Sequence, residues 1–163
     1  MQYSFHTLYL NYMKIKLTND ELLTMVHKGL SNSASVTLPA QGSSMIPFIV
    51  EGRHQVVVGK VEPNSLKKGS IALVKLSDGR LVAHRVVRIE NIGKGLHYTL
   101  RGDGNIYLKE RVTKEDVVAE VVAVVRGGKR VDSGSMLWKL YRFLWPSTPI
   151  VRRIFLKIWH LCN

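Results

Sequence analysis

The chain has few acidic residues and almost no cysteine. Twelve Asp and Glu stand against twenty-four Lys and Arg among 163 residues, which gives a formal net charge of +12. Such an excess favours association with an anionic partner, either nucleic acid or a phospholipid surface. Because Cys162 is the single cysteine, an intrachain disulfide is excluded, and one cysteine with scattered histidines cannot form a metal cluster. We therefore expect neither a metal ion nor a cofactor.

Long hydrophobic runs are also missing. The apolar pieces of the first sixteen residues are interrupted by His6, Asn11 and Lys14, so this stretch is too short and too polar for a signal peptide or a spanning helix. A chain of this length has room for one ordinary domain with a hydrophobic core. We expect a cytoplasmic protein that can also bind peripherally to a membrane.

Acidic side chains are absent after Asp132, where basic and aromatic residues alternate. The pattern predicts two amphipathic helices, separated by Pro146 and Pro149, with the second beginning at Ser147-Thr148-Pro149. The first helix would place four residues on one face: Leu137, Leu140, Tyr141 and Leu144. In the second, the apolar residues Val151, Ile154, Phe155 and Ile158 would oppose Arg153, Lys157 and His160.

Residues 136–163 therefore fit an anionic membrane surface, in the plane of the interface. Arg152-Arg153 lies near the middle of this tail, where cations disfavour a spanning helix. Two other interpretations stay open. The helices could pack on the sheet while their basic side chains extend to solvent, or they could bind a protein partner.

The remaining chain is predicted to be mainly β. Thr18 and Glu21 form a capping-box pattern that predicts a helix over about 19–30. From Ser35 to residue 131 the apolar period is two and β-branched residues are frequent, with hairpins expected at Asp78-Gly79 and Gly127-Gly128. The predicted organisation is an N-terminal segment with a short helix (1–34), a β domain (35–132) and a basic helical tail (133–163).

Three motifs inside the β region carry the chemistry. They are Gly42-Ser43-Ser44-Met45-Ile46-Pro47, His84-Arg85-Val86-Val87 and Arg101-Gly102-Asp103-Gly104-Asn105. A serine hydroxyl is a poor nucleophile at neutral pH and needs a base beside it, a task that suits imidazole. Taken singly, each residue also has a structural interpretation: a loop serine, a histidine buried in a strand, and turn residues that cap backbone amides.

Taken together and in this order, the motifs resemble those of the signal peptidase I superfamily, over roughly residues 36–125. The resemblance implies a coiled β-sheet peptidase domain, with Ser44 as the acylating nucleophile and Met45 packed beside it. It implies His84 as the general base, as in the histidine-type members, and Asp103 as the acid that orients the imidazole. Arg85 and Asn105 complete the matching motifs. The implied activity is that of a serine endopeptidase acting on a peptide or protein.

The backbone amide of Ser44 is one expected donor to the oxyanion. Gly42 stands where typical bacterial members carry a second, hydroxyl donor, so Ser43 or another amide would have to replace it. This difference favours the alternative that the chain is a non-catalytic module that binds an extended peptide. Lys75 is the second candidate for the base. Nucleic-acid binding is not expected, because the basic residues form no known reader motif.

Overall fold

The computed structural model describes residues 6–10, 13–62, 65–93, 95–146 and 148–162. Residues 1–5 of the predicted N-terminal segment and Ser147, at the predicted start of the second tail helix, lie outside these ranges. Within them the chain forms a two-stranded sheet, an antiparallel eight-stranded sheet and three α-helices, so the prediction of a mainly β protein is confirmed. The described helices include none that is long and apolar enough to cross a membrane.

The first helix follows from its capping box. Helix α1 spans Asn19–Asn32, and the Thr18 hydroxyl accepts from the Glu21 amide while the Glu21 carboxylate accepts from the Thr18 amide at 2.8 Å. Its residues Leu22, Val26 and Leu30 recur every four positions and are buried against the sheet. The predicted helix over about 19–30 is confirmed and continues for two more residues.

The strands of the small sheet are β1 (His6–Leu10) and β2 (Met13–Leu17). Those of the large sheet are β3 (Ser35–Pro39), β4 (His54–Gly59), β5 (Ile71–Lys75), β6 (Leu81–Ile92), β7 (Gly95–Arg101), β8 (Glu110–Thr113), β9 (Val117–Arg126) and β10 (Lys129–Asp132). Their order is β3-β4-β9-β5-β6-β7-β8, and β10 pairs with β9. A single 3-10 turn at Lys114–Asp116 joins β8 to β9.

Both predicted hairpins are present. Gly79 (φ 83°) lies in the turn between β5 and β6, while Gly127 (φ 51°) and Gly128 (φ 77°) join β9 to β10. These positive φ angles favour glycine, which explains why the turns could be predicted. Strands β7 and β8 lie within the region predicted to be β but were not predicted individually, and the β1–β2 hairpin was not predicted at all. The alternation of apolar and polar residues was nevertheless present in β2 (Met13, Ile15, Leu17) and in β7 (Leu96, Tyr98, Leu100).

The large sheet is covered on both faces. Alternate residues of β5 enter different hydrophobic clusters: Ile71 and Leu73 face α1 and the loop that carries Ser44, whereas Ala72 and Val74 face a cluster built on β6, β7 and β8. Successive side chains of a strand point to opposite faces, so β5 separates two layers of core. The same alternation decides where the site residues of β6 point.

The tail forms helices α2 (Met136–Leu144) and α3 (Pro149–Cys162), as predicted. Trp138 of α2 is buried and Tyr141 is half-buried, while the three leucines of the predicted apolar face, Leu137, Leu140 and Leu144, are exposed. Aromatic side chains of α2, and not its leucines, therefore attach this helix to the sheet domain.

Candidate active site

The Ser44 loop connects β3 to β4, and its apolar residues pack in the hydrophobic core. Met45 and Phe48 are buried, whereas Ser43 is exposed and Ser44 is partly exposed. Gly42 adopts a positive φ of 76°, and its amide donates to the Glu51 carboxylate at 3.1 Å. The loop thus presents two serines above a hydrophobic base.

The loop after β7 packs directly on this serine turn. The Gly104 amide donates to the Ser44 carbonyl oxygen at 2.8 Å, and the Asp103 amide contacts the Met45 sulfur at 3.5 Å. A Cβ atom at Gly104 would lie 2.5 Å from the Ser43 carbonyl oxygen, and a Cβ atom at Gly102 would overlap the Ser44 carbonyl oxygen. Both glycines are therefore required for the close approach of the two motifs.

His84 is buried in β6, with its ring held by a carboxylate that the motifs did not indicate. The His84 Nδ1 atom lies 3.0 Å from Oε2 of Glu110, the first residue of β8. Because a carboxylate only accepts, this contact favours the tautomer with the proton on Nδ1 and a free electron pair on Nε2. Nε2 is buried and has no hydrogen-bond partner among the described residues.

Strand register explains why Glu110 reaches His84. Val86 lies two residues after His84 on the same face, Leu100 of β7 is opposite Val86, and Glu110 of β8 is opposite Leu100. Directly opposed residues share a face of the sheet, so Glu110 lies on the side of His84. This contact depends on the pairing of three strands and cannot be predicted from the residues near His84 in the sequence.

Asp103 has a different position from the expected one. Both of its carboxylate oxygens accept from Arg85, at 2.9 Å from Nε and 2.6 Å from the terminal nitrogen, and both residues are buried. Since Arg85 follows His84 on the strand, the two side chains point to opposite faces. Among the described residues the carboxylate in contact with the His84 ring is therefore that of Glu110, and the contact of Asp103 is with Arg85.

A second arginine ties the Asp103 loop to the tail. Arg152 of α3 is 3% exposed and donates to the carbonyl oxygens of Gly102 (3.0 Å), Asp103 (2.9 Å) and Asn105 (3.3 Å). It also donates to the Pro146 carbonyl oxygen at 2.9 Å, at the bend between α2 and α3. The composition of the tail suggested a surface role for this residue, and only the folded chain shows it to be structural.

Burial and charge act in opposite directions on these arginines. Burial alone lowers the pKa of Arg85, but the Asp103 carboxylate outweighs it and the net pKa is raised. Burial, with a further contribution from Arg101, lowers the pKa of Arg152 to about 10. Both guanidinium groups therefore stay charged at neutral pH and keep their hydrogen bonds.

Ser44 and His84 line one open cleft of about 550 Å³. Other predicted site residues that line it are Gly42, Ser43, Met45 and Asn105, and so does Glu110. Asp103 and Arg85 lie outside its lining, below the serine turn. Lys75, the second candidate base, also lies outside it and forms an ion pair with Asp20 at 3.1 Å.

Two strand edges border the cleft. Strand β3 ends the sheet order, and Leu38 and Pro39 line the cleft from its side. On the other side, residues 81–84 of β6 pair with β5, and the pairing of β6 with β7 begins only at Arg85. Leu81, Val82 and Ala83 also line the cleft. An extended peptide could therefore hydrogen-bond to the backbone on either side.

No family model, curated protein or solved structure matches the chain. Within the described ranges no three His, Cys, Asp or Glu side chains are grouped to hold a metal ion. The functional argument therefore depends on the residues of the cleft.

Proposed function

We propose that the chain is a serine endopeptidase of the signal-peptidase type, which cleaves a peptide bond through an acyl-enzyme on Ser44. The observation that carries the proposal is the pairing of His84 with Glu110 at the cleft that Ser44 lines. That pairing leaves Nε2 as the basic nitrogen, as a general base requires. The antiparallel sheet and the packing of the Gly102–Asn105 loop on the serine turn support the corresponding fold.

In the proposed reaction, a peptide enters the cleft as an added strand. His84 Nε2 takes the Ser44 hydroxyl proton while the serine oxygen attacks the carbonyl carbon, and Glu110 stabilises the imidazolium. The Ser44 amide donates to the oxyanion. The imidazolium then protonates the leaving amine, and a water activated by His84 hydrolyses the acyl-serine to release the second product.

Peptide binding would also complete the site. Without a peptide, Nε2 makes no hydrogen bond to Ser44 or to any other described residue. Catalytic hydrogen bonds are often long before substrate binds and shorten in the substrate complex. His84 is opposite Ala72, which belongs to the cluster on the other side of β5 from the Ser44 loop, so the loop or the imidazole would have to move for the two groups to meet when a peptide binds.

The test is covalent labelling with a serine-reactive fluorophosphonate, followed by mass spectrometry of the modified peptide. We expect an adduct on Ser44 in the wild type and none in Ser44→Ala. The exposed neighbour supplies the matched control, because Ser43→Ala removes an adjacent hydroxyl and should keep the adduct. A folded wild-type protein that is not labelled, or one whose labelling survives in Ser44→Ala, would refute the peptidase.

One observation favours the non-catalytic alternative. Gly42 cannot supply a hydroxyl, and its amide is engaged by Glu51, so this position adds no donor to the oxyanion. A module of this kind would bind extended peptides between β3 and β6 with equal affinity in the wild type and in Ser44→Ala, and would cleave none. Titration of a peptide library, with the products read by mass spectrometry, separates the two functions.

A further inference from the structure

The exposed faces of α2 and α3 repeat one apolar pattern. On each helix four large apolar residues occupy positions i, i+1, i+4 and i+8, which form a stripe along one side of a helix. They are Met136, Leu137, Leu140 and Leu144 on α2, and Ile150, Val151, Ile154 and Ile158 on α3. Each of the eight is at least 41% exposed. We call this surface the tail face.

The opposite sides of both helices are already occupied. Trp138 contacts Phe48 with ring centroids 4.8 Å apart, and Arg152 and Leu156 are buried. The bend between the helices is held by the Arg152–Pro146 hydrogen bond and by the Trp145–Phe155 edge contact. The tail face is therefore not the side that attaches the helices to the domain, and it stays free in the folded chain.

Cations border the tail face on both helices. Lys139 lies three residues after Met136, and Lys157 lies three residues after Ile154, so each is a helical neighbour of the stripe. Arg142 and Arg153 are also exposed. Since no acidic residue follows Asp132, no carboxylate of the tail offsets these charges.

We propose that the tail face docks the protein on an anionic phospholipid surface. An apolar stripe flanked by cations inserts its side chains at the level of the head groups while the ammonium and guanidinium groups contact phosphates. A second copy of the chain is the weaker occupant, because it would bring the cations of two tails together without any carboxylate. The proposal is independent of the reaction at Ser44.

The test is co-sedimentation with vesicles of phosphatidylglycerol and phosphatidylcholine, compared with pure phosphatidylcholine. We expect binding to the anionic vesicles, which weakens in high salt, and little binding to the neutral ones. Leu140→Glu together with Ile154→Glu should reduce the partition coefficient by at least about tenfold, because both side chains are exposed in the tail face. The matched control is Ile89→Glu together with Ile92→Glu, which adds the same charge at exposed sites outside the tail and should leave binding nearly unchanged.

Charge is tested separately. Lys139→Gln with Lys157→Gln should lower partitioning on the order of 25-fold, since each basic residue near an anionic surface contributes about a factor of five. Lys28→Gln with Lys129→Gln removes the same charge from exposed sites outside the tail and should have a much smaller effect.

Cys162, four residues after Ile158, reports on docking directly. It is the single cysteine and is exposed, so an environment-sensitive dye attached there should shift to the blue on anionic vesicles. Equal binding of the wild type and the variant with Leu140→Glu and Ile154→Glu would overturn the proposal. So would equal binding to neutral vesicles, or dimerisation through the tail face with no binding to vesicles in analytical ultracentrifugation.

Discussion

At the scale of single residues, two adjacent residues of β6 have different roles: His84 is the proposed base, and Arg85 stabilises the loop that carries Asp103. His84 points to the face where Glu110 holds its ring, and Arg85 points to the opposite face, where it holds Asp103. The sequence shows two acids near one histidine but not the face on which each lies. The prediction of Ser44 and His84 at one cleft needed only the motifs, whereas the choice of acid needed the strand register.

The Glu110 carboxylate should control the reactivity of Ser44. In Glu110→Gln the charge that stabilises the imidazolium is lost, and the new amide can donate to Nδ1 and so favour the wrong tautomer. We expect the rate of Ser44 labelling to fall on the order of 100-fold or more, with the free energy of unfolding little changed. The measurement is the pseudo-first-order rate of fluorophosphonate labelling.

Asp103→Asn is the contrasting variant. It leaves the buried, charged Arg85 without its counter-charge, so stability should fall by about 3–5 kcal/mol. Labelling that depends on Asp103 in the folded protein but not on Glu110 would restore the original assignment of the acid.

At the scale of elements, the loop between β3 and β4 depends on a histidine at the start of β4. The His54 Nδ1 atom accepts from the Val50 amide at 3.0 Å. This nitrogen must therefore carry no proton, and the ring must be uncharged. Partial burial, with contributions from Arg126 and Arg53, lowers the pKa of His54. A charged His54 therefore opposes the folded loop.

The sign of the resulting pH dependence follows from this direction. Because the pKa of His54 is lower in the folded chain than its ordinary value of about 6.5, the unfolded chain binds more protons. The contribution is fully present above about pH 6.5 and is lost as the pH falls toward and through the folded value.

His54→Asn should flatten this part of the stability profile, because the Asn oxygen can replace Nδ1 as the acceptor but does not titrate. Urea unfolding of both proteins between pH 8 and pH 5 measures the effect. The two curves should run parallel near pH 8 and diverge below, with the wild type losing more stability. Parallel curves down to pH 5 would show that His54 contributes nothing to this loss.

At the scale of the whole molecule, the tail is part of the site's support. Phe48, in the Ser44 loop, stacks on Tyr141 with centroids 4.2 Å apart and meets the edge of Trp138, while Arg152 binds the loop after β7. The division into a β domain and a separate tail describes the sequence well. In the folded chain, however, the two predicted segments share one hydrophobic cluster.

The burial of Trp138 should make this helix a main contributor to stability. Trp138 is 2% exposed, so Trp138→Ala should cost about 3–5 kcal/mol of unfolding free energy. Phe143, on the same helix, is 86% exposed, and Phe143→Ala should change stability by no more than about 0.5 kcal/mol. Chemical denaturation of both variants checks the pair, and a similar small loss in both would mean that the tail is only loosely attached.

Local rules were enough to predict α1 from its capping box, the hairpins at Gly79 and Gly127-Gly128, and the two tail helices, because each depends on residues close in sequence. The sequence by itself also determined the excess of basic charge. Only the tertiary structure decided that Glu110 holds His84, that Arg152 is buried, and that the leucines of α2 face outward. The reason is physical: these relations depend on which strands pair, in which register, and on which helix face the aromatic residues occupy in the core.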